Sequence, residues 1–149
     1  MKKYLLFFFL FFFNNEIIAL EKENIIENLK NTNNLSFNFE QNINGEKERG
    51  HCILEYPKKI LCRYNSEKQK ILVSNGRYVV IKTINSHYIY NIKSTPLNLI
   101  LNKKFILDQI ESSEGKIIDN KFMKFNFLEN EYEVNLFFNK SNYNLVGWQ

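Results

Sequence analysis

Apolar and polar residues alternate along most of this chain, and a period of two predicts β-strands. In SFNFEQNI, residues 36–43, Phe37 and Phe39 are in phase on one face of a predicted strand. Two more alternating runs lie within GHCILEYPKKILCRY, residues 50–64, and meet at Pro57. A turn tolerates the amide hydrogen that proline lacks, so this block predicts a hairpin.

The following blocks first add strands and then change period. Residues 71–73 and 77–83 flank the turn signal Ser-Asn-Gly, and residues 86–92 form a further predicted strand. Helical spacing begins at Pro96, within STPLNLIL, and continues in residues 104–111. This segment therefore predicts two short helices behind the strands.

The two ends of the chain complete the predicted fold. Residues 20–31 have helical spacing with acidic residues early and Lys30 late, which suits the helix dipole. From Gly115 to Trp148 the alternation returns. The pattern gives nine or ten strands and three short helices, a mainly β fold. Consecutive strands with short turns predict one antiparallel sheet, strongly curled or partly closed.

The first nineteen residues have the organisation of a secretory signal peptide. A basic start, Met1-Lys2-Lys3, precedes an unbroken apolar run over residues 4–13, and a more polar segment ends at Ala19. The run is too short for a bilayer, which needs about 20 apolar residues. We expect cleavage after Ala19 and a periplasmic protein, the alternative being an uncleaved membrane anchor. No cysteine follows the run, which argues against lipidation of this protein.

Composition bounds the class of protein. The chain has 149 residues, enough for one domain, and only 5 glycines and 2 prolines, so no linker divides residues 20–149. The net charge is +4, but the basic residues are scattered and not interleaved with aromatics, unlike a nucleic-acid interface. We therefore expect no nucleic-acid partner.

No catalytic constellation is present. The two histidines, His51 and His87, lie in different predicted strands, and the sequence has no metalloprotease, phosphate-loop, esterase or dinucleotide motif. Cys52 and His51 cannot act as a nucleophile and base, because adjacent strand residues point to opposite faces. Closely spaced metal-binding cysteines are also missing. We expect neither an enzyme nor a cofactor or metal.

The two cysteines fit a disulfide. Cys52 and Cys62 both lie five residues from Pro57, so a three-residue loop there places them opposite each other. Exported proteins meet an oxidising compartment, and closing so small a loop adds ~2–3 kcal/mol of stability. The alternative is two free buried thiols that act as small apolar side chains.

Aromatic residues make up 15% of the chain, and several of them alternate in register along the predicted strands. Such a face can pack as an ordinary core or enclose a cavity, and periodicity alone leaves both interpretations open. The residues that would form it are Phe37, Phe39, Leu54, Tyr56, Ile60, Tyr64, Tyr88 and Tyr90.

The order of the blocks SFNFEQ, GHCILEYPKKILCRY, ILVSNG and STPLNLIL resembles the LolA family of periplasmic lipoprotein carriers. The family pattern is F-x-Q, then G-x-hydrophobic-x-hydrophobic-x-R-P, then an LVSDG-type turn, then TPL-x-LLL. The last piece, VNLFFNKSNYNLVGW, is similar to the family's late hairpin. The resemblance covers the chain from about Phe37 to its end.

This resemblance implies an incomplete, strongly curved antiparallel β-barrel with an N-terminal helix and a helical lid over an apolar cavity. The alternating residues above would line the cavity for lipoprotein acyl chains, with Leu54, Tyr56, Ile60, Cys62 and Tyr64 on the concave face of the hairpin. The lid would consist of Leu97, Leu99, Ile100 and Leu101. The implied partners are acylated lipoproteins and the inner-membrane ABC transporter that releases them. The resemblance leaves open whether an outer-membrane receptor is a further partner. We expect a monomer.

Two departures from the family pattern bear on this interpretation. The family has Arg before the hairpin proline, where it holds the lid closed, whereas this chain has Tyr56, whose hydroxyl offers an alternative hydrogen bond to a lid carbonyl. Family members also continue beyond Gly-Trp, whereas this sequence ends at Gln149, so the last strands would be missing. Alternatives to a carrier are a periplasmic module of the same fold that senses lipids or lipoproteins, and a secreted structural domain with a filled core.

Overall fold

The computed structural model describes residues 13–43, 45–129 and 132–149, with side chains from Ile18 onward. The described part is mainly β, with ten strands, three α-helices and a 3-10 turn at Ile92–Ser94. The helices are α1 (Phe13–Asn31), α2 (Leu97–Ile100) and α3 (Lys103–Ser112). The strands are β1 (Asn34–Ile43), β2 (Glu46–Glu55), β3 (Lys59–Tyr64), β4 (Ile71–Asn75), β5 (Tyr78–Lys82), β6 (His87–Asn91), β7 (Lys116–Ile118), β8 (Phe122–Glu129), β9 (Tyr132–Asn139) and β10 (Leu145–Trp148).

The strands form two separate antiparallel sheets, so the expectation of one sheet was wrong. The first six pair in chain order, β1 to β6, and the last four pair in the order β10-β9-β8-β7. The helical segment from Ile92 to Ser112 separates the two sheets along the chain. In the described residues β1 and β6 each pair on one side only, so the six-stranded sheet is open, and the incomplete barrel that the resemblance implies is not confirmed. Periodicity identifies strands but not their partners, because pairing is a non-local choice.

The chain forms two compact units. Residues Thr32–Ile106 hold the six-stranded sheet, α2 and the start of α3. Helix α1 and residues Leu107–Gln149 form the other unit, which holds the four-stranded sheet. The chain therefore passes from one unit to the other within α3.

The unit with the four-stranded sheet has an aromatic core. Phe125 and Phe138 are fully buried and pack edge to face, with ring centroids 5.9 Å apart. Helix α1 contributes Ile25 and Leu29 to the buried set. Its polar side is fixed by Asn28, whose Nδ2 donates to the Tyr143 carbonyl at 3.1 Å.

The predicted N-terminal helix, residues 20–31, is present as the C-terminal part of α1, which begins at Phe13 and continues through Ala19. Most of the predicted signal peptide, residues 1–12, lies outside the described residues. No helix in the described part of the chain is long and apolar enough to span a membrane.

Candidate functional site

Seven of the eight residues predicted to line an acyl cavity share one face of the six-stranded sheet, and the eighth, Tyr56, lies in the turn that follows β2. We call that face of the sheet the disulfide face, because it carries Cys52 and Cys62, and we call its reverse the opposite face. One register row on the disulfide face consists of Phe37, Cys52, Cys62, Leu72, Ile81 and Tyr88. The adjacent row consists of Leu35, Leu54, Ile60, Ser74, Val79 and Tyr90. Phe39 pairs with Gly50, and Gly50 pairs with Tyr64, which places both aromatics on this face.

Burial falls from the centre of this face toward its last strand. Leu54 and Ile60 are buried, and Tyr56, in the turn that follows β2, is only 8% exposed. Phe37, Phe39 and Tyr64 are half-buried. Tyr88 and Tyr90 are 55% and 45% exposed, because β6 is an edge strand. The expectation that a cavity encloses these two residues was therefore wrong.

A disulfide joins Cys52 and Cys62 across β2 and β3. The two residues are direct register partners, as the loop length around Pro57 predicts. Both are buried, at 3% and 5% exposure. The bond therefore fixes the two strands that carry the most buried part of the disulfide face.

An aromatic and charged cluster forms the other end of this face. The Phe39 and Tyr64 rings meet edge to face at 4.9 Å, and Gly50 leaves room for them, since a Cβ there would lie 2.7 Å from the Phe39 ring. Lys70 Nζ lies 4.2 Å from the Tyr64 ring centroid and 2.7 Å from a Glu48 carboxylate oxygen. Burial opposes ionisation of Glu48, but hydrogen bonds from Lys70 and Gln41 outweigh it and hold its pKa below the usual value.

The predicted lid is partly buried in the structure. Ile100 and Leu101 are buried, at 2% and 0% exposure, whereas Leu97 and Leu99 are half-buried. Ile100 and Leu101 therefore act as core residues, and Leu97 and Leu99 are the more accessible members of the lid.

Lys58 connects the β2–β3 turn to this lid. Its backbone amide donates to the Leu101 carbonyl at 3.0 Å, and its Nζ donates to Asn98 Oδ1 at 3.0 Å. The Lys58 carbonyl accepts a hydrogen bond of 2.8 Å from Ser74 Oγ, which itself is buried. Lys58 is thus hydrogen-bonded to both β4 and the lid. The sequence did not predict this role, because two neighbouring lysines follow Pro57 and no local pattern distinguishes them.

Tyr56 does not make the hydrogen bond to the lid that its position suggested. Its hydroxyl is buried and has no hydrogen-bond partner in the described part of the chain. Burial raises the pKa of this hydroxyl to about 12. Tyr56 is instead positioned by its backbone, whose amide donates to the Asn33 carbonyl at 2.9 Å.

The described residues contain no cluster of three or more metal-ligating side chains. His51 lies on the opposite face, where its ring nitrogens are 3.0 Å from Ser36 Oγ and 3.0 Å from Asn38 Oδ1. With both cysteines in a disulfide, neither provides a thiolate nucleophile.

A pocket of about 250 Å³ lies in the other unit and has a different character. Its walls are Glu114, Lys116, Lys124, Asn126 and Glu133. Charged and amide groups of this kind do not favour acyl chains. The disulfide face and its lid remain the better candidate for an apolar ligand.

No protein-family model matches this sequence, and no curated protein is significantly similar to it.

Proposed function

We propose that this protein is a periplasmic carrier of lipoproteins of the LolA kind. In this proposal it takes up acyl chains of lipoproteins released by an inner-membrane ABC transporter and delivers them to the outer membrane. The disulfide face binds the chains and the lid residues Leu97, Leu99, Ile100 and Leu101 cover them.

The observation that supports this proposal most is the junction between apolar face and lid. Seven of the eight predicted cavity residues lie on the disulfide face, and the eighth, Tyr56, lies in the turn that follows β2. Lys58 joins this turn to the lid through hydrogen bonds to Leu101 and Asn98. Burying acyl chain contributes about 0.8 kcal/mol per methylene. Opening of the lid then exchanges lid contacts for ligand contacts, which lowers net affinity and permits release.

Exposed aromatics at the edge of the face suit the same function. Tyr88 and Tyr90 extend the disulfide face to β6, beyond its buried centre. A chain that enters along this edge would meet aromatic surface before it reaches Leu54 and Ile60.

The proposal is tested by lipid extraction and mass spectrometry of the purified protein, together with lipoprotein release from inner-membrane vesicles. We expect co-purifying acyl species and release that depends on the added protein. Absence of both would refute the carrier function.

A lid variant makes the test specific to this site. Leu97→Asp places a charge at a half-buried lid position and should reduce loading severalfold, while Leu128→Asp, at a 72% exposed position in the four-stranded sheet, is the control. Ile100 is unsuitable for this test because a charge at a position only 2% exposed would unfold the protein. Equal loading of both variants would contradict the lid assignment.

A further inference from the structure

A row of aliphatic side chains crosses the opposite face of the six-stranded sheet. Each of the strands β2 to β6 contributes one residue, directly paired with the next: Ile53, Leu61, Val73, Val80 and Ile89. Since neighbouring strands lie about 4.8 Å apart, the row is about 19 Å long. Ile53, Val73 and Ile89 are 49%, 39% and 60% exposed. A continuous row differs from the single exposed apolar residues that are common on protein surfaces.

Basic residues accompany this row. The next register row along the strands consists of His51, Arg63, Ile71, Lys82 and His87. Pairing places two carboxylates of the described strands on the opposite face, and both are already neutralised. Glu40 binds Arg49 at 2.8 Å, and Glu55 binds Lys59 at 3.0 Å. Arg63 and Lys82 have no ion-pair partner among the described residues, so this face carries excess positive charge.

We propose that the opposite face docks onto an anionic lipid bilayer. Aliphatic side chains would enter the interfacial region of the bilayer, and Arg63 and Lys82 would lie at the level of the phosphate groups. The opposite face is separate from the proposed cargo site, since alternate residues of each strand point to different faces. The proposal therefore stands whether or not the protein carries lipoproteins.

Charge favours a bilayer over a second copy of this chain. Two copies packed through this face would bring together surfaces that each have Arg63 and Lys82 without an ion-pair partner, and the described strands place no free carboxylate on this face to offset them. An anionic bilayer supplies both the negative charge that would pair with Arg63 and Lys82 and an apolar interior for the aliphatic row.

Vesicle binding with localised detection tests this proposal. The protein is incubated with phosphatidylcholine vesicles with or without phosphatidylglycerol, and hydroxyl-radical footprinting reports solvent access at Ile53, Val73 and Ile89. Every sample must have the same N-terminus, checked by mass spectrometry, because residues 4–13 are themselves apolar. We expect protection of these three residues only with phosphatidylglycerol, weakened by salt.

Matched variants separate the two contributions. Arg63→Gln with Lys82→Gln should weaken vesicle binding about 30-fold at low salt, whereas Lys93→Gln with Lys121→Gln, equal in charge and located elsewhere, should have a much smaller effect. Ile53→Thr with Ile89→Thr keeps β-branched residues in the strands and should also weaken binding, with Leu128→Thr as control.

Vesicle binding without protection of the row would overturn the proposal. Protection that needs no vesicles and rises with protein concentration would assign the face to a second copy instead.

Discussion

Among single residues, Lys58 makes the polar contacts that join the β2–β3 turn to the lid. Its side chain and backbone both reach the segment that follows β6, through Asn98 and Leu101. The family pattern predicts that the residue before Pro57, Tyr56, holds the lid closed through a hydrogen bond to a lid carbonyl. The structure instead places the polar contact at the residue after Pro57, where the chain turns with a φ of +64°.

A double-mutant cycle measures this contact. Lys58→Met keeps most of the side-chain stem and the backbone amide, and Asn98→Ala removes the acceptor. Each should lower the free energy of unfolding by about 1 kcal/mol, with a coupling energy of about 0.5–1.5 kcal/mol between them. Urea unfolding gives these energies, and hydrogen exchange at Leu99 and Leu101 should accelerate in both variants. Additive effects would show that the two side chains do not interact.

Tyr56 gives a prediction about alkaline pH. Its hydroxyl ionises near pH 10 in the unfolded chain but only at about 12 in the folded one. The unfolded state therefore loses this proton first, and stability from this group, complete below pH 10, is lost as the pH rises toward 12. Wild type should lose up to ~1.4 kcal/mol more per pH unit in this window than Tyr56→Phe.

The same variant tests the missing hydrogen bond at neutral pH. Removing a buried hydroxyl without a partner should leave stability unchanged or raise it by about 1 kcal/mol. Tyr88→Phe, at a 55% exposed position, is the control. A marked loss of stability in Tyr56→Phe alone, measured by urea unfolding, would mean that the hydroxyl has a partner.

At the scale of elements, the β2–β3 hairpin depends on its disulfide. Replacing both Cys52 and Cys62 by Ala should lower the free energy of unfolding by ~2–3 kcal/mol, because the cross-link limits the unfolded chain. Thermal or urea unfolding of the variant measures this loss. Wild type in a reductant strong enough to open the bond should match the variant, and identical stability with and without the bond would contradict the prediction.

At the scale of the whole molecule, the open six-stranded sheet makes a prediction about β6. The Ile92 amide donates to the Arg77 carbonyl, and alternation along an antiparallel pair then directs the Ile89 and Asn91 amides away from β5. These two amides should exchange rapidly, whereas those of Tyr88 and Tyr90 should be protected. Nuclear magnetic resonance of amide exchange measures both. Slow exchange at Ile89 would mean that another strand pairs with β6, as in a closed barrel.

Residues close together in the chain were enough to predict the local features of this protein. Alternation located β1 to β6 within a few residues, Pro57 located the hairpin, and equal spacing from that proline placed Cys52 opposite Cys62. All of these depend on neighbours in the chain, where a period of two and a turn of known length fix which side chains meet.

Three-dimensional packing determined how these elements combine. It separated the strands into two sheets, left Tyr88 and Tyr90 exposed on an edge strand, and gave the lid contact to Lys58 rather than to Tyr56. It also aligned Ile53 with Ile89 across five strands on the opposite face. These outcomes depend on contacts between residues far apart in the chain, and such contacts compete with one another in ways that local patterns do not encode.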